Sequence, residues 1–141
     1  MVEDEDMSSE EKLRTRISKI IMIDDEPDVN MAIKIALEEN GVFEVDTFND
    51  AESALIAFKP DLYDLALLDI RMPGMNGFQL CRKLREIDKT LKICFLTATE
   101  LTHFQDLDSD LIDDLGTDCF VIKPVYTTDL INRLKIILSQ E

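Results

Sequence analysis

The sequence predicts an α/β domain built on a buried, all-parallel sheet. Three observations carry that expectation. Strand-like and helix-like segments alternate along the chain from residue 17 onward, which is the pattern of repeated βα units. Four of the five strand-like segments are nearly continuous apolar runs, as strands covered on both faces must be. Three of those runs end in charged side chains followed by loop residues, and the carboxyl ends of parallel strands are where such sheets bind ligands.

Residues 1–16 are polar and acidic without periodicity, and a disordered or loosely helical tail is expected there. The folded domain is expected over 17–141. Lys19–Ile23 reads as the first strand. Asp28–Glu39 reads as a helix with Val29, Ala32, Ile33, Ala36 and Leu37 on one face, stopped by Asn40-Gly41. Phe43–Phe48 alternates, with Phe43, Val45 and Thr47 on one side, and is the expected edge strand. Asn49 or Asp50 can cap a helix running to Phe58, which Pro60 prevents from continuing. Tyr63–Asp69 is the third strand. Gly77–Ile87 is a helix that carries Phe78, Leu80, Cys81, Leu84 and Ile87 inward. Lys92–Leu96 is the fourth strand, a helix is expected within Phe104–Leu115 before Gly116, and Cys119–Ile122 is the fifth strand. Thr128–Ser139 closes the chain as a helix, with Leu130, Ile131, Leu134, Ile137 and Leu138 inward. Five βα units of this kind wind in the order 2-1-3-4-5, the flavodoxin-like arrangement, with helices on both faces and a switch point between strands 1 and 3.

Composition narrows the function. Thirty acids against fifteen bases leave a net charge of −15. Residues 1–19 hold six acids and four bases, so −13 belongs to the rest of the chain. That balance argues against direct nucleic-acid binding, which needs a basic footprint, and favours a cation or basic protein partners. No apolar run approaches the ~18 residues of a membrane span, and the acidic N-terminus is unlike a signal peptide. Cys81, Cys94 and Cys119 show no metal spacing and read as reduced core thiols of a cytoplasmic protein.

The chemistry concentrates at one sheet edge. Leu65-Ala66-Leu67-Leu68 ends in Asp69, and Pro73-Gly74 and Asn76-Gly77 then mark a loop. Ile20-Ile21-Met22-Ile23 ends in Asp24-Asp25, and Phe120-Val121-Ile122 ends in Lys123-Pro124. Each piece has a plain reading. The chain contains eight adjacent acid pairs, where its composition gives about six by chance. The pair before Pro27-Asp28 could simply cap a helix. A lone Asp after a strand is often a turn former, and a lone lysine is often solvated. Their convergence on one edge is what argues for a site. Three crowded carboxylates cannot all stay ionised without a counter-charge. Mg²⁺ suits them, because it takes oxygen ligands and keeps several waters; Mn²⁺ could substitute. Beside a cation an Asp can act as a nucleophile toward a phosphoryl group. Lys123 and the hydroxyl of Thr97, at the end of the fourth strand, could stabilise its oxygens.

The segments Ile-Ile-Met-Ile-Asp-Asp-Glu-Pro, Leu-Leu-Asp-Ile-Arg-Met-Pro-Gly-Met-Asn-Gly, Leu-Thr-Ala and Phe-Val-Ile-Lys-Pro together resemble the receiver domain of two-component response regulators, from about Ser18 to Ser139. The resemblance implies that Asp69 is the phosphoacceptor. It implies Mg²⁺ bound by Asp25 and Asp69 directly, by Asp24 largely through water, and by the backbone carbonyl of Arg71. It implies Thr97 as the switch hydroxyl, Phe120 as the switch aromatic, Lys123 as partner of phosphate and carboxylates, and a cis Lys123–Pro124 bond. The donor would be a sensor histidine kinase or a histidine phosphotransfer protein, and the output a downstream protein partner. The chain would be a stand-alone receiver that does not turn over external substrates. Two departures stand out. The switch aromatic is Phe120 rather than the frequent Tyr, so its readout must be steric. The stretch from Thr97 to Lys123 is a few residues longer than usual, around Glu100–Asp110. Glu100–Asp118 also holds seven acids and no Lys or Arg, which is either a solvated face or an acidic docking surface switched by phosphorylation.

Other functions fit less well. An aspartate-nucleophile phosphatase of the haloacid-dehalogenase kind needs an acid two residues after the nucleophile, where this chain has Arg71, which cannot donate a proton. A flavin carrier of the same winding needs a neutral, donor-rich phosphate loop after strand 1, where this chain has Asp24-Asp25-Glu26. A degenerate receiver acting as a scaffold would not need the full set of Asp, acid pair, Thr and Lys.

Overall fold

The computed structural model describes residues 17–98, 114 and 119–140. The strands are β1 (Ser18–Ile23), β2 (Phe43–Phe48), β3 (Leu65–Leu68), β4 (Lys92–Thr97) and β5 (Phe120–Ile122). The longer helices are α1 (Pro27–Glu39), α2 (Ala51–Ala57), α3 (Gly77–Ile87) and α4 (Thr127–Ser139). The strands form one sheet in the order β2-β1-β3-β4-β5, and every pairing is parallel. The helix expected within Phe104–Leu115 and the acidic stretch Glu100–Asp118 lie outside the described residues, apart from a helical, exposed Asp114. The N-terminal tail lies outside them too.

Both faces of the sheet are covered, and the strands divide their side chains between two cores with a period of two. Ile20, Met22, Leu65, Leu67, Cys94 and Leu96 pack with Leu37 of α1 and Leu130, Leu134 and Ile137 of α4. Ile21, Ile23, Ala66, Leu68, Ile93 and Phe95 pack with Ala51 and Ala54 of α2 and Phe78, Leu80, Cys81 and Leu84 of α3. Cys81, Cys94 and Cys119 are buried and form no disulfide with one another. Burial, with Cys119 nearby, pushes the Cys94 thiol up to about 12. Among the described residues no helix is long and apolar enough to cross a membrane.

Local signals act where they should. Asp50, rather than Asn49, caps α2: its carboxylate accepts from Ser53 N at 2.7 Å and Ser53 Oγ at 3.0 Å. Asn76 and Gln79 close a reciprocal capping box on α3. Gly41, after α1, takes φ +86°, where glycine has no Cβ penalty. β2 and β5 are the two edges of the sheet, and α1 covers the open side of β2. Val45 N donates to Glu38 Oε2 at 3.1 Å, and Lys34 Nζ donates to Val45 O. Those groups would otherwise be a template for another strand.

Two inward assignments differ. Ala32 is exposed on α1 while the polar Asn30 is buried, because the α1 terminus faces the polar ends of β1 and β2 rather than the apolar core. Ile87 is 41% exposed, since the helix ends there and the chain turns extended at Asp88 on its way into β4. β3 is also shorter than Tyr63–Asp69, although Asp64 N and Asp69 N still donate to Lys19 O and Ile23 O of β1.

Candidate functional site

β1, β3 and β5 deliver their charged residues to the same end of the sheet. Asp24 follows β1 and is 1% exposed. It does not cap α1: the N-cap position is Glu26, without a side-chain cap, and Pro27 begins the helix. Both Asp24 oxygens are held. Oδ1 accepts from Glu26 N at 2.9 Å, and Oδ2 accepts from Lys123 Nζ at 2.9 Å. Asp25 is exposed beside it. Asp69 follows β3, is 7% exposed, and its N–H donates to Ile23 O at 2.9 Å, which ties the ends of β1 and β3 together. Lys123 follows β5. Its N–H donates to Thr97 O at 2.7 Å, and its ammonium stands 4.0 Å from Asp69 Oδ2. The Lys123–Pro124 peptide is cis.

Oxygen atoms of Asp24, Asp25 and Asp69 all lie within 4.8 Å of one another. The electrostatics register the crowding. Burial first, then the Asp24 charge, push the Asp69 carboxyl up to about 6, against the pull of Lys123 and of a hydrogen bond from the Arg71 backbone N–H. Burial opposes the charge on Lys123, but its bond to Asp24 and the charges of Asp69 and Asp24 outweigh it and raise its pKa. One ammonium therefore faces three carboxylates. An all-oxygen cluster of this charge fits a hard divalent cation such as Mg²⁺.

The remaining candidates sit close by. Thr97 closes β4 and is 1% exposed. Arg71 is exposed. Phe120 lies in the core, stacked on Phe95 with ring centroids 5.0 Å apart, and 6.3 Å from Phe78. An apolar groove opens alongside Lys123, lined by Val29 and Ile33 of α1 and by Pro124, Val125 and Leu130.

Two residues of the site escaped the sequence reading. Gly77 packs against the backbone that carries Asp69: a Cβ there would fall on the Asp69 carbonyl oxygen and within 2.8 Å of the Ile70 Cα. The Asn-Gly dipeptide had signalled only a loop. Asn30 donates from Nδ2 to Asp24 O at 2.8 Å, Phe48 O at 3.1 Å and Asn49 Oδ1 at 2.8 Å. As a polar residue on an amphipathic helix it carried no signal.

Comparisons with known proteins agree with the geometry. Residues 20–135 match the family described as the response regulator receiver domain. The phosphate regulon transcriptional regulatory protein PhoB of Rhizobium meliloti is 36% identical over 128 residues, which cover 88% of this chain and 53% of that protein. The chain thus spans about half the length of that curated relative. The non-phosphorylated HemR receiver domain from Leptospira biflexa superposes with a TM-score of 0.75 at 26% identity, covering 88% of this chain and 96% of that one. The response regulator TrrA from Thermotoga maritima, solved in complex with Mg²⁺ and BeF, superposes with a TM-score of 0.69 at 32% identity, covering 86% and 99%. Sheet order, acidic cluster, lysine and family match all lead to one assignment: this chain belongs to the response regulator receiver domain family.

Proposed function

We propose that the domain accepts a phosphoryl group on Asp69 from a phosphohistidine of a sensor histidine kinase or histidine phosphotransfer protein. The observation that carries this reading is the cluster of Asp24, Asp25 and Asp69 with Lys123 bridging Asp24 and Asp69. Mg²⁺ held by Asp25, Asp69 and the Arg71 carbonyl, with Asp24 acting largely through water, would neutralise charge on the phosphoryl oxygens; Mn²⁺ would serve in its place. A carboxylate oxygen of Asp69 attacks phosphorus, a P–O bond forms, and the donor's P–N bond breaks with its electron pair leaving on the imidazole. Lys123 and the Thr97 hydroxyl hold the equatorial oxygens. The apolar groove beside Lys123 offers the donor protein a surface next to Asp69.

The product is a modified domain, and the protein acts as a switch rather than as a turnover enzyme. Thr97 drawn toward the phosphoryl group and Phe120 repacking behind it would bias an existing two-state equilibrium. The readout would be a protein partner recognised through the acidic stretch Glu100–Asp118, in the cytoplasm. The net charge makes a nucleic-acid contact by the receiver residues themselves unfavourable.

The test is incubation with acetyl phosphate and Mg²⁺ followed by intact mass. One hydroxylamine-labile phosphoryl group is expected on the wild type and none on Asp69→Ala. Equal labelling of that variant would overturn the assignment.

A further inference from the structure

Asn30 makes a set of contacts that packing alone does not require. It is 2% exposed, inside the first turns of α1. Its Nδ2 sits among three oxygens: Asp24 O, Phe48 O and Asn49 Oδ1. Two of these are backbone carbonyls, so the amide cannot be turned round without setting oxygen against oxygen. Two N–H groups thus serve three acceptors. Among the described residues Asn30 Oδ1 is buried with no hydrogen-bond partner, an arrangement that costs stability. In return the residue grips one carbonyl just past β1, one at the end of β2 and the start of the next loop.

The Asp24 carbonyl is the informative one. Asp24 C=O belongs to the peptide that joins Asp24 to Asp25. Holding its oxygen at 2.8 Å fixes the plane of that peptide, and therefore the point from which the Asp25 side chain leaves the backbone. Asp24 is also fixed through its N–H, to Phe48 O at 3.2 Å, and through both carboxylate oxygens. Asp25 is exposed and sits between two held peptides, this one and the Asp25–Glu26 peptide, whose N–H donates to Asp24 Oδ1 at 2.9 Å. Residues that orient a ligand without touching the ion tune affinity in this way.

We infer that Asn30 is a positioning residue of the cation site, presetting the Asp24–Asp25 peptide so that Asp25 meets Mg²⁺ with little reorganisation. The inference rests on the cation reading proposed above.

The test is calorimetric titration with Mg²⁺ of wild type, Asn30→Ala, Asn49→Ala and Leu37→Ala, each confirmed folded by circular dichroism. Asn30→Ala should weaken Mg²⁺ binding about tenfold, and Asn49→Ala should weaken it less. Leu37→Ala, in the core of the same helix, should lower the melting temperature and leave the Mg²⁺ affinity unchanged. The Mg²⁺ concentration for half-maximal phosphorylation of Asn30→Ala should rise in step, with the rate at saturating Mg²⁺ restored. Wild-type affinity in Asn30→Ala would overturn the inference, as would an equal loss in Leu37→Ala. Should Asn30→Ala not fold, wild-type affinity in Asn49→Ala overturns it. Absence of Mg²⁺ binding by the wild type would remove the cation reading and this inference together, whereas a change confined to the variants separates the two.

Discussion

Replacing Asp69 with Asn should stabilise the metal-free protein at neutral pH, and the gain should vanish in acid. Burial and the Asp24 charge push the Asp69 carboxyl from 3.8 up to about 6. The fold therefore prefers the protonated group. Below about pH 4 the group is neutral in both folded and unfolded chains, and its contribution to stability is fully present. As pH rises through about 6 that contribution is lost, because ionisation is easier in the unfolded chain. A rise of about two units at ~1.4 kcal/mol each is worth about 3 kcal/mol. Asp69 is 7% exposed, so solvent screening removes little of this. An Asn carbonyl keeps an acceptor for the Arg71 N–H, and Lys123 keeps its 2.9 Å bond to Asp24. A domain of this size moves roughly 3–4 °C per kcal/mol, so Asp69→Asn should melt about 10 °C higher than wild type in EDTA at pH 7.5. The gap should close by pH 4, and it should shrink in millimolar Mg²⁺, which stabilises the wild type by mass action. The assay is thermal unfolding followed by circular dichroism across that pH range. An Asp69→Asn melting temperature at or below wild type at pH 7.5 would refute the reasoning, as would a gap of the same size at pH 4.

Asp25→Asn should weaken Mg²⁺ binding and slow phosphorylation by acetyl phosphate; because Asp25 is exposed, the EDTA melting temperature should move by no more than about 2 °C, and an unchanged Mg²⁺ titration would remove Asp25 from the site. Gly77→Ala would force the Asp69–Ile70 backbone aside, which should cost about 1–3 kcal/mol and slow phosphorylation; normal values of both would show that the loop relaxes freely. Glu38→Ala should open the outer edge of β2 and favour concentration-dependent association, visible by sedimentation velocity. The Val45 N–H holds the Glu38 carboxyl below its usual value, so wild type should keep its edge covered at neutral pH and lose the cover only as the pH falls below the ordinary Glu range; an Ala variant that stays monomeric at every concentration would show that the clamp is dispensable.

Much of the fold was legible because its signals are local. A buried parallel strand needs apolar side chains on both faces, so Ile20–Ile23, Leu65–Leu68 and Ile93–Leu96 announce themselves without partners. Alternation over Phe43–Phe48 likewise marked one edge strand, while β5, the other edge, reads as a buried apolar run. The carboxylates and the lysine were legible for the same reason, since each directly follows such a run. Local reading failed where the partner is distant in sequence. It left Asn49 and Asp50 equivalent as caps, and only the placement of Asn30 against Asn49 and of Ser53 on Asp50 separated their roles. It also faced Ala32 to the core and passed over Asn30, because helical periodicity knows the direction of a side chain but not the polarity of what it meets. Gly77 looked like any turn glycine until the fold brought the Asp69 carbonyl against it. The grip of Lys123 on Asp24 spans 99 residues. Residue type and order settle which groups reach the sheet edge; how far each is buried, what it bonds and how its charge is carried depend on chain segments that meet only when the sheet closes.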